Sequence, residues 1–258
     1  MQVGPYTLAD EAHIQLELLA RGVADLTAAG VLATPEGARV TQELADLFVG
    51  HGAGIQGNLM TLAQVRAVLH DHAVLEGPSR HAQREVVNLA RGLDYTQMLA
   101  ADDLPLTERL IRIMHALVMR GLLPPDVEPG TYRSQDLPDL AYGPPQAHAV
   151  TSEMGTFARW LGLKPDAPDY LPNPLVRAVL AHTWLLVVHP FLNGNGRTAR
   201  LLLNLVLLRA QYPLCIIRTE DGPRYMAALR AAGIERDLTP MMLLAAERVG
   251  DSLAAYWV

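Results

Sequence analysis

The sequence predicts an all-α protein. Half of the 258 residues are hydrophobic, and along most of the chain the apolar positions recur every three or four residues, which is the period of an amphipathic helix. Ser or Thr precedes several of these segments, where such residues cap the first turn of a helix. One stretch, residues 130–141, has the composition of a strand, and we interpret it as a short hairpin or extended flap.

The first fifty residues predict a small helical cap. Thr7–Gly30 has an amphipathic pattern that ends at a glycine, and Val40–Phe48 predicts a shorter helix. We therefore place a domain boundary after residue 50, with the larger domain over residues 51–258. The positions of the first helix that we expect to face inward are Ile14, Leu16, Leu18, Leu19, Val23 and Leu26.

The larger domain is predicted to contain eight helices. Thr61, Ser79 and Thr107 stand where N-caps are expected. Leu201–Leu208 is apolar on every face apart from Asn204, so we expect this helix in the middle of the bundle. The eight helices are expected over residues 61–71, 79–101, 107–121, 146–161, 174–188, 196–210, 223–232 and 239–257.

Composition and charge exclude several classes of function. The net charge is −6, and nucleic acid is not expected as a partner because binding to phosphates requires a basic face. The single cysteine, Cys215, allows neither an internal disulfide nor a cysteine metal cage, and it fits a reducing compartment. No signal peptide or membrane span is evident, so we expect a soluble cytoplasmic protein without a membrane partner. Delivery elsewhere as an effector stays open.

One polar segment, HPFLNGNGRTAR at His189–Arg200, joins two strongly apolar helices. Gly194 and Gly196 let the backbone approach a ligand, and the helix that follows directs free N–H groups and its positive dipole end to one place. Arg197 and Arg200 lie on one side of that helix and suit a polyphosphate. A histidine with an ordinary pKa of about 6.5 is a usable base, so His189 could act at the edge of this pocket.

This segment resembles the signature of the Fic family, H-P-F-x-[D/E]-G-N-G-R-x-x-R. Further motifs of that family resemble Glu85–Asn88, His115 with Gly121, Gly130–Arg133 and Tyr225–Leu229. The resemblance extends from residue 52 to residue 249. It implies an all-α, Fic-type helical bundle with a short β-hairpin flap, in which residues 51–258 form the Fic domain.

The resemblance also implies an activity, because Fic enzymes typically transfer the AMP part of ATP to a Ser, Thr or Tyr hydroxyl of a protein. His189 would be the general base, and Phe191 would face the core. Tyr132 and Arg133 would belong to a flap that binds an extended segment of the protein target by strand addition. The nucleotide would be bound by Asn193, Gly194, Asn195 (in part through its side-chain amide), Gly196, Arg197 at the β-phosphate and Arg200 at the γ-phosphate.

Asn193 departs from the Fic pattern. The family has Asp or Glu there, and that carboxylate binds Mg²⁺ or Mn²⁺; an amide oxygen at Asn193 lacks the charge that offsets dehydration of the ion. We expect weaker metal binding and slower transfer. The kinase-like Doc branch tolerates Asn there, but its lysine is replaced by Gly196, so phosphotransfer of the Doc type is the lesser option.

A second departure concerns regulation. Residues 51–58 resemble the inhibitory helix of many Fic proteins, [S/T]-x-x-x-E-[G/N], with Gly52 in place of Ser or Thr, Gln56 in place of Glu, and Gly57 at the last position. A neutral amide does not form the ion pair that the family's Glu makes with the second motif arginine, here Arg200. We expect autoinhibition to be weak or absent, and the reverse reaction, removal of AMP, to be impaired.

Two other functions stay open at this point. A degenerate Fic module would bind a nucleotide or a partner without transfer, and a transferase on the same scaffold could use another nucleotide donor. The sequence identifies neither the target nor its modified hydroxyl, and a homodimer is one of the open oligomeric states.

Overall fold

The computed structural model describes residues 2–3, 6–102, 104–137 and 142–257. Ten α-helices make up most of this part of the chain, which confirms the all-α prediction. Short 3-10 turns lie at Val31–Ala33, Ala147–Ala149, Thr219–Asp221 and Ala255–Trp257, and a π-helical turn lies at Ala231–Glu235. The helices are α1 (Glu11–Ala28), α2 (Pro35–Gly54), α3 (Leu62–His70), α4 (Arg80–Ala101), α5 (Glu108–Met119), α6 (Val150–Leu161), α7 (Pro174–Val188), α8 (Asn195–Arg209), α9 (Gly222–Arg230) and α10 (Thr239–Ala254).

The three predicted N-caps are confirmed. The Thr61 hydroxyl accepts from the Gln64 backbone N–H, and the Gln64 side chain accepts from the Thr61 N–H, which completes a capping box. Ser79 caps α4 and Thr107 caps α5 in the same way, each through its hydroxyl. These side chains satisfy N–H groups that the first turn of a helix leaves without an acceptor.

The first helix differs in part from its predicted inward face. Leu16, Leu19 and Leu26 are buried, but Ile14 and Leu18 are 66% and 55% exposed. The reason is that α1 packs mainly against α10, so that only one stripe of it is covered. The prediction that Ile14 and Leu18 face inward is therefore wrong.

The second helix is longer than predicted. It begins at Pro35, directly after the capping hydroxyl of Thr34, and continues through a glycine-rich stretch to Gly54. The domain boundary that we place after residue 50 therefore lies inside α2. These glycines remain helical because α2 packs along α4 and contacts α8, and such tertiary packing stabilises a helix where its residues favour it weakly.

The helix α8 lies in the middle of the bundle, as expected, packed against α7, α4 and α5. Leu201–Leu207 is buried throughout. Asn204 is the polar exception, and its side chain is fully used: Nδ2 donates to the carbonyls of Arg200 and Cys215, and Oδ1 accepts from the Cys215 N–H. A buried amide with every group paired is compatible with a core position.

The described strands are not where the sequence predicts them. Gln2–Val3 (β1) and Tyr6–Thr7 (β2) form a short antiparallel pair. The described part of the expected hairpin, residues 130–137, contains no strand, and its remainder, residues 138–141, lies outside the described residues. The physical reason is visible at Arg133, whose backbone N–H donates to the Pro190 carbonyl instead of to a partner strand.

Candidate functional site

The connection between α7 and α8 has an unusual backbone. The helix α7 ends at Val188 and is followed by His189, which adopts a left-handed conformation with φ 48°; Gly194, with φ 81°, precedes α8. A side-chain carbon at Gly194 would lie 2.5 Å from the Met119 sulfur, so this position requires glycine. Left-handed backbone at a residue other than glycine is costly and is concentrated at functional sites, which directs attention to His189.

Asparagine side chains hold the loop in shape. Asn195 is 2% exposed; its Oδ1 accepts from the Phe191 N–H at 3.0 Å, and its Nδ2 donates to the Phe191 carbonyl at 2.8 Å. The Asn193 Oδ1 accepts from the Gly194 N–H at 2.6 Å. The amide of Asn195, which we expected to contact phosphate, is therefore committed to the loop, and only its backbone is left for a ligand.

His115 fastens the loop to α5 and to the start of the flap. Its ring stacks on that of buried Phe191, with centroids 3.7 Å apart. Its Nδ1 accepts from the Gly130 N–H at 2.8 Å, so the hydrogen is on Nε2, which donates to the Asn193 carbonyl at 2.9 Å. Burial lowers the pKa of His115 to about 4, so the ring is neutral at pH 7. The sequence marked His115 as part of a motif but gave it no role.

The His189 ring is partly buried, and its position is defined on two sides. Its Nδ1 lies 2.8 Å from the hydroxyl oxygen of Tyr142, and its backbone carbonyl accepts from Nε of Arg133 at 2.8 Å. Burial, and secondarily the charge of Arg133, lower the pKa of His189 to about 4. The imidazole is therefore neutral at pH 7 and has a lone pair available to take a proton.

Arg197 is engaged by a buried carboxylate. Its Nη1 lies 2.6 Å from Oε1 of Glu85, and the two side chains are only 4% and 8% exposed. The other oxygen of Glu85 accepts from Asn58 Nδ2 at 3.0 Å, and Arg197 Nη2 lies 3.4 Å from Asn193 Oδ1. A phosphate at Arg197 would therefore have to replace Glu85 as the partner of the guanidinium. The sequence analysis placed Glu85 in a motif but did not predict this ion pair.

Arg200 is covered by the segment that resembles an inhibitory helix. Its Nη2 donates to the Gly52 carbonyl at 2.8 Å, and the residue is 2% exposed. Its guanidinium also interacts with the Tyr225 hydroxyl, yet Nε and Nη1 make no hydrogen bond of good geometry in the described part of the chain. Buried donors without acceptors are costly, which favours an acceptor supplied by a ligand.

Gln56 lies beside Arg200 without binding it. A side-chain carbon built at Gly196 would be 3.5 Å from Gln56 Nε2 and 3.2 Å from Arg200 Nη1, so these two groups flank the same glycine. No hydrogen bond joins Gln56 to Arg200 among the described residues. The contact between this segment and Arg200 is made by the Gly52 backbone.

The two flap residues are turned into the protein. Arg133 is 6% exposed, and besides the His189 carbonyl its guanidinium donates to the carbonyls of Gln135 and Pro145. The Tyr132 ring packs at 5.5 Å from Phe191. Both side chains therefore support the loop, Arg133 by donating to carbonyl groups and Tyr132 by packing on Phe191, and a role of this segment in binding a target stays a prediction.

A cleft of about 630 Å³ opens beside the loop. Asn193, Arg197 and Gln56 are among the residues that line it. Arg197 lies in the first turn of α8, so the positive N-terminus of that helix is close to the cleft. The remaining lining residues are Gly57, Asn58, Leu59, Met60, Gln64, Glu76, Gly77, Pro78, Ser79, His81, Ala82 and Glu85.

Comparison with known proteins identifies this arrangement. The family model for the Fic/DOC family matches residues 105–207, a range that includes the loop, His115 and the start of the flap. The chain belongs to the Fic/DOC family. Protein adenylyltransferase fic-1 of Caenorhabditis elegans is 32% identical over 220 residues, which are 84% of this chain and 42% of that protein. Protein adenylyltransferase Fic of Drosophila melanogaster is 31% identical over 218 residues, 84% of this chain and 43% of that protein.

Solved structures agree with this assignment. Fic-1 (residues 134–508) from C. elegans superposes with a TM-score of 0.81 at 28% identity, over 95% of this chain and 71% of that one. A Fic family protein from Desulfovibrio desulfuricans gives 0.76 at 26% identity, over 97% and 75%. The chain spans less than half the length of the curated relatives that it matches.

The described residues of the Fic domain do not offer a divalent cation a site of their own. The Asn193 Oδ1 already accepts from Gly194 and faces the Arg197 guanidinium, and the nearby carboxylate of Glu85 is paired with Arg197. Among the described residues no group of three His, Cys, Asp or Glu could hold a metal ion. The residues present therefore do not fit Mg²⁺ or Mn²⁺, which prefer carboxylate oxygens.

Within the described ranges, no helix is both long and apolar enough to cross a membrane.

Proposed function

We propose that this protein is a protein adenylyltransferase, which transfers AMP from ATP to a Ser, Thr or Tyr hydroxyl of a protein. The observation that carries the proposal is the neutral imidazole of His189 at the edge of a loop that leads into the positive end of α8. In the reaction His189 takes the proton of the target hydroxyl, whose oxygen attacks the α-phosphorus. The bond from that phosphorus to the bridging oxygen breaks, and pyrophosphate leaves.

The phosphates would be held mainly by the backbone of Gly194, Asn195 and Gly196 and by Arg197, which would exchange Glu85 for an oxygen of ATP. Arg200 would meet the γ-phosphate only after Gly52 and Gln56 move aside, because Arg200 is buried beneath that segment. The protein target would pair with backbone groups of the flap, since Tyr132 and Arg133 are engaged within the protein.

A second candidate function is binding of a nucleotide without transfer. Asn193 favours it, because the loop supplies no charged ligand for a cation that would assist the reaction. An intact His189, Arg197 and Arg200 favour the transferase. Mass spectrometry distinguishes both functions from transfer that uses a different nucleotide donor.

Intact-mass spectrometry tests these functions directly. The protein is incubated with ATP, GTP, CTP or UTP, each with Mg²⁺, with Mn²⁺ and with chelator, and the added mass is identified. An added AMP supports adenylyl transfer, and another nucleotide identifies another donor. Nucleotide binding by calorimetry without any added mass would instead establish the binding module.

The first prediction concerns the residue in the carboxylate position of the motif. Asn193→Asp is expected to raise the transfer rate at least about tenfold at millimolar Mg²⁺ and to make it more dependent on the ion, because a carboxylate binds a hard cation better than an amide does. The measurement is the initial labelling rate against Mg²⁺ concentration. A rate and ion dependence equal to those of the wild type would contradict this view of Asn193.

The second prediction concerns pH. Because burial and Arg133 keep the folded pKa of His189 at about 4, the base is unprotonated throughout the neutral range. The single-turnover rate at saturating ATP is expected to change less than about twofold between pH 7.5 and pH 5.5. A base with an ordinary pKa of about 6.5 would lose about tenfold over that range. A loss of that size would contradict the buried, neutral state of His189.

A further inference from the structure

Tyr142 is the side chain whose hydroxyl contacts the ring of the proposed base. Its oxygen lies 2.8 Å from Nδ1 of His189, and the two rings are 5.8 Å apart at an angle of 30°. Tyr142 is 7% exposed, so solvent has little access to this contact. Sequence analysis assigns no role to Tyr142, which lies 47 residues before His189 in the chain.

The direction of this hydrogen bond depends on which nitrogen of the His189 ring carries the hydrogen. A hydroxyl can donate or accept, so the 2.8 Å contact with Nδ1 fits both neutral tautomers. A base that receives the target proton on Nε2 must carry its own hydrogen on Nδ1. The Tyr142 oxygen is then an acceptor for Nδ1–H. When Nε2 gains its proton, this bond becomes charge-assisted and stabilises the imidazolium.

A glycine on another element holds Tyr142 in this place. A side-chain carbon at Gly233 would lie 2.6 Å from Cβ and 2.7 Å from the carbonyl oxygen of Tyr142. Gly233 belongs to the π-helical turn Ala231–Glu235, a rare conformation that is frequent at functional sites. The absence of a side chain at Gly233 therefore lets the Tyr142 backbone come close enough for its hydroxyl to reach His189.

The other ionisable groups around this contact are few. Among the described residues, Arg133 is the charged group that acts on the His189 ring, and it acts against protonation. Burial, and next the neighbouring Tyr225, raise the pKa of Tyr142 to about 12, so its hydroxyl remains neutral. Tyr142 thus contributes a dipole and not a charge.

We propose that Tyr142, held against Gly233, is a positioning residue: it holds Nδ1 of His189 toward its own oxygen, accepts the hydrogen on that nitrogen, and leaves Nε2 free to accept a proton. The kinetic consequence and the expectation of a hydrogen on Nδ1 both rest on the proposed adenylyl transfer, in which His189 is the base. The tautomer is measured on the protein without substrate, so it is tested separately from transfer.

The tautomer is measured by ¹⁵N NMR on the full chain labelled at histidine, with the His189 signals identified by their loss in His189→Gln. Wild type is expected to carry the hydrogen on Nδ1, and Tyr142→Phe is expected to show a mixture of both tautomers and a lower pKa of His189. A wild-type ring with its hydrogen on Nε2, or a variant with an unchanged spectrum, would overturn the proposal. This readout holds even if the protein transfers nothing.

The kinetic arm uses labelling rates. Tyr142→Phe is expected to lower kcat about tenfold with an unchanged KM for ATP, because the base is disordered while the phosphate site is intact. Tyr256→Phe is the matched control: it removes a hydroxyl that contacts Thr41 at 2.9 Å, remote in the chain from His189. Equal kcat values for Tyr142→Phe and Tyr256→Phe would contradict the role of Tyr142.

A second variant tests whether Gly233 positions Tyr142, and it leaves the rings of Tyr142 and His189 unchanged. Gly233→Ala pushes the Tyr142 backbone away and is expected to reproduce the tautomer mixture and the loss in kcat. Its control is Gly250→Ala in α10, where a new side-chain carbon would lie 3.7 Å from Leu19 and fits. A folded Gly233→Ala protein with a wild-type His189 spectrum would show that Gly233 does not position Tyr142.

Discussion

Replacing His189 by alanine is expected to abolish AMP transfer while leaving ATP binding within about twofold of wild type. General base catalysis contributes about 10²- to 10⁴-fold. The other neutral imidazole at the loop, His115, has both nitrogens engaged, by Gly130 and by Asn193, and does not replace His189. The phosphates would be bound by backbone N–H groups and arginines, which the substitution does not remove. The measurements are the labelling rate by intact mass and the dissociation constant of ATP by calorimetry.

The left-handed backbone of His189 calls for a control. Alanine is less favourable than asparagine in that conformation, so part of any effect of His189→Ala could come from a displaced loop. His189→Asn tolerates the conformation and lacks a base, and it is expected to be equally inactive. Transfer above a tenth of the wild-type rate in either folded variant would contradict the assignment of His189 as the base.

The substitution Gln56→Glu, which introduces a negative charge at residue 56, is expected to inhibit AMP transfer. In Gln56→Glu a carboxylate would lie next to the Arg200 guanidinium, across Gly196, and would pair with donors that now lack an acceptor. A charge-assisted bond of this kind stabilises by about 1.5–3 kcal/mol, so the transfer rate should fall by about ten- to a hundredfold. The segment around Gly52 would then be held more firmly over the γ-phosphate position.

The rate of Gln56→Glu is compared with that of Gln15→Glu, which adds the same charge on the exposed surface of α1. The control is expected to behave as wild type. Equal labelling rates for Gln56→Glu and wild type would contradict the idea that residue 56 controls access to Arg200. A weaker apparent affinity for ATP in Gln56→Glu alone would locate the inhibition at the nucleotide.

Much of the fold was readable from the sequence because local signals determine helices. The capping hydroxyls of Thr61, Ser79 and Thr107 predicted three helix starts correctly. The apolar run at Leu201–Leu207 predicted the central helix. Predictions failed where a neighbouring element decides the outcome, as for Ile14 and Leu18, which helical periodicity alone placed inward.

The site was predicted as a set of residues but not as a set of contacts. The spacing of His189, Arg197 and Arg200 located the loop, and burial around it agrees with a binding site. The sequence did not predict that the Asn195 side chain donates to the Phe191 carbonyl or that Arg133 donates to the His189 carbonyl. These bonds depend on which carbonyl lies nearby in the folded protein. For the same reason it gave no indication of Tyr142 at the base.

The sequence by itself determined the helices, the family motif and the two amides at Asn193 and Gln56, because these follow from residue identity and from spacing along one element. Only the tertiary structure decided the partners of each charged or titratable group: Glu85 at Arg197, Gly52 at Arg200, and Tyr142 at His189. Those pairs join residues between 47 and 148 positions apart, and packing of whole helices brings them together. Burial then lowers the pKa of His189 and raises that of Tyr142, and no local pattern encodes burial.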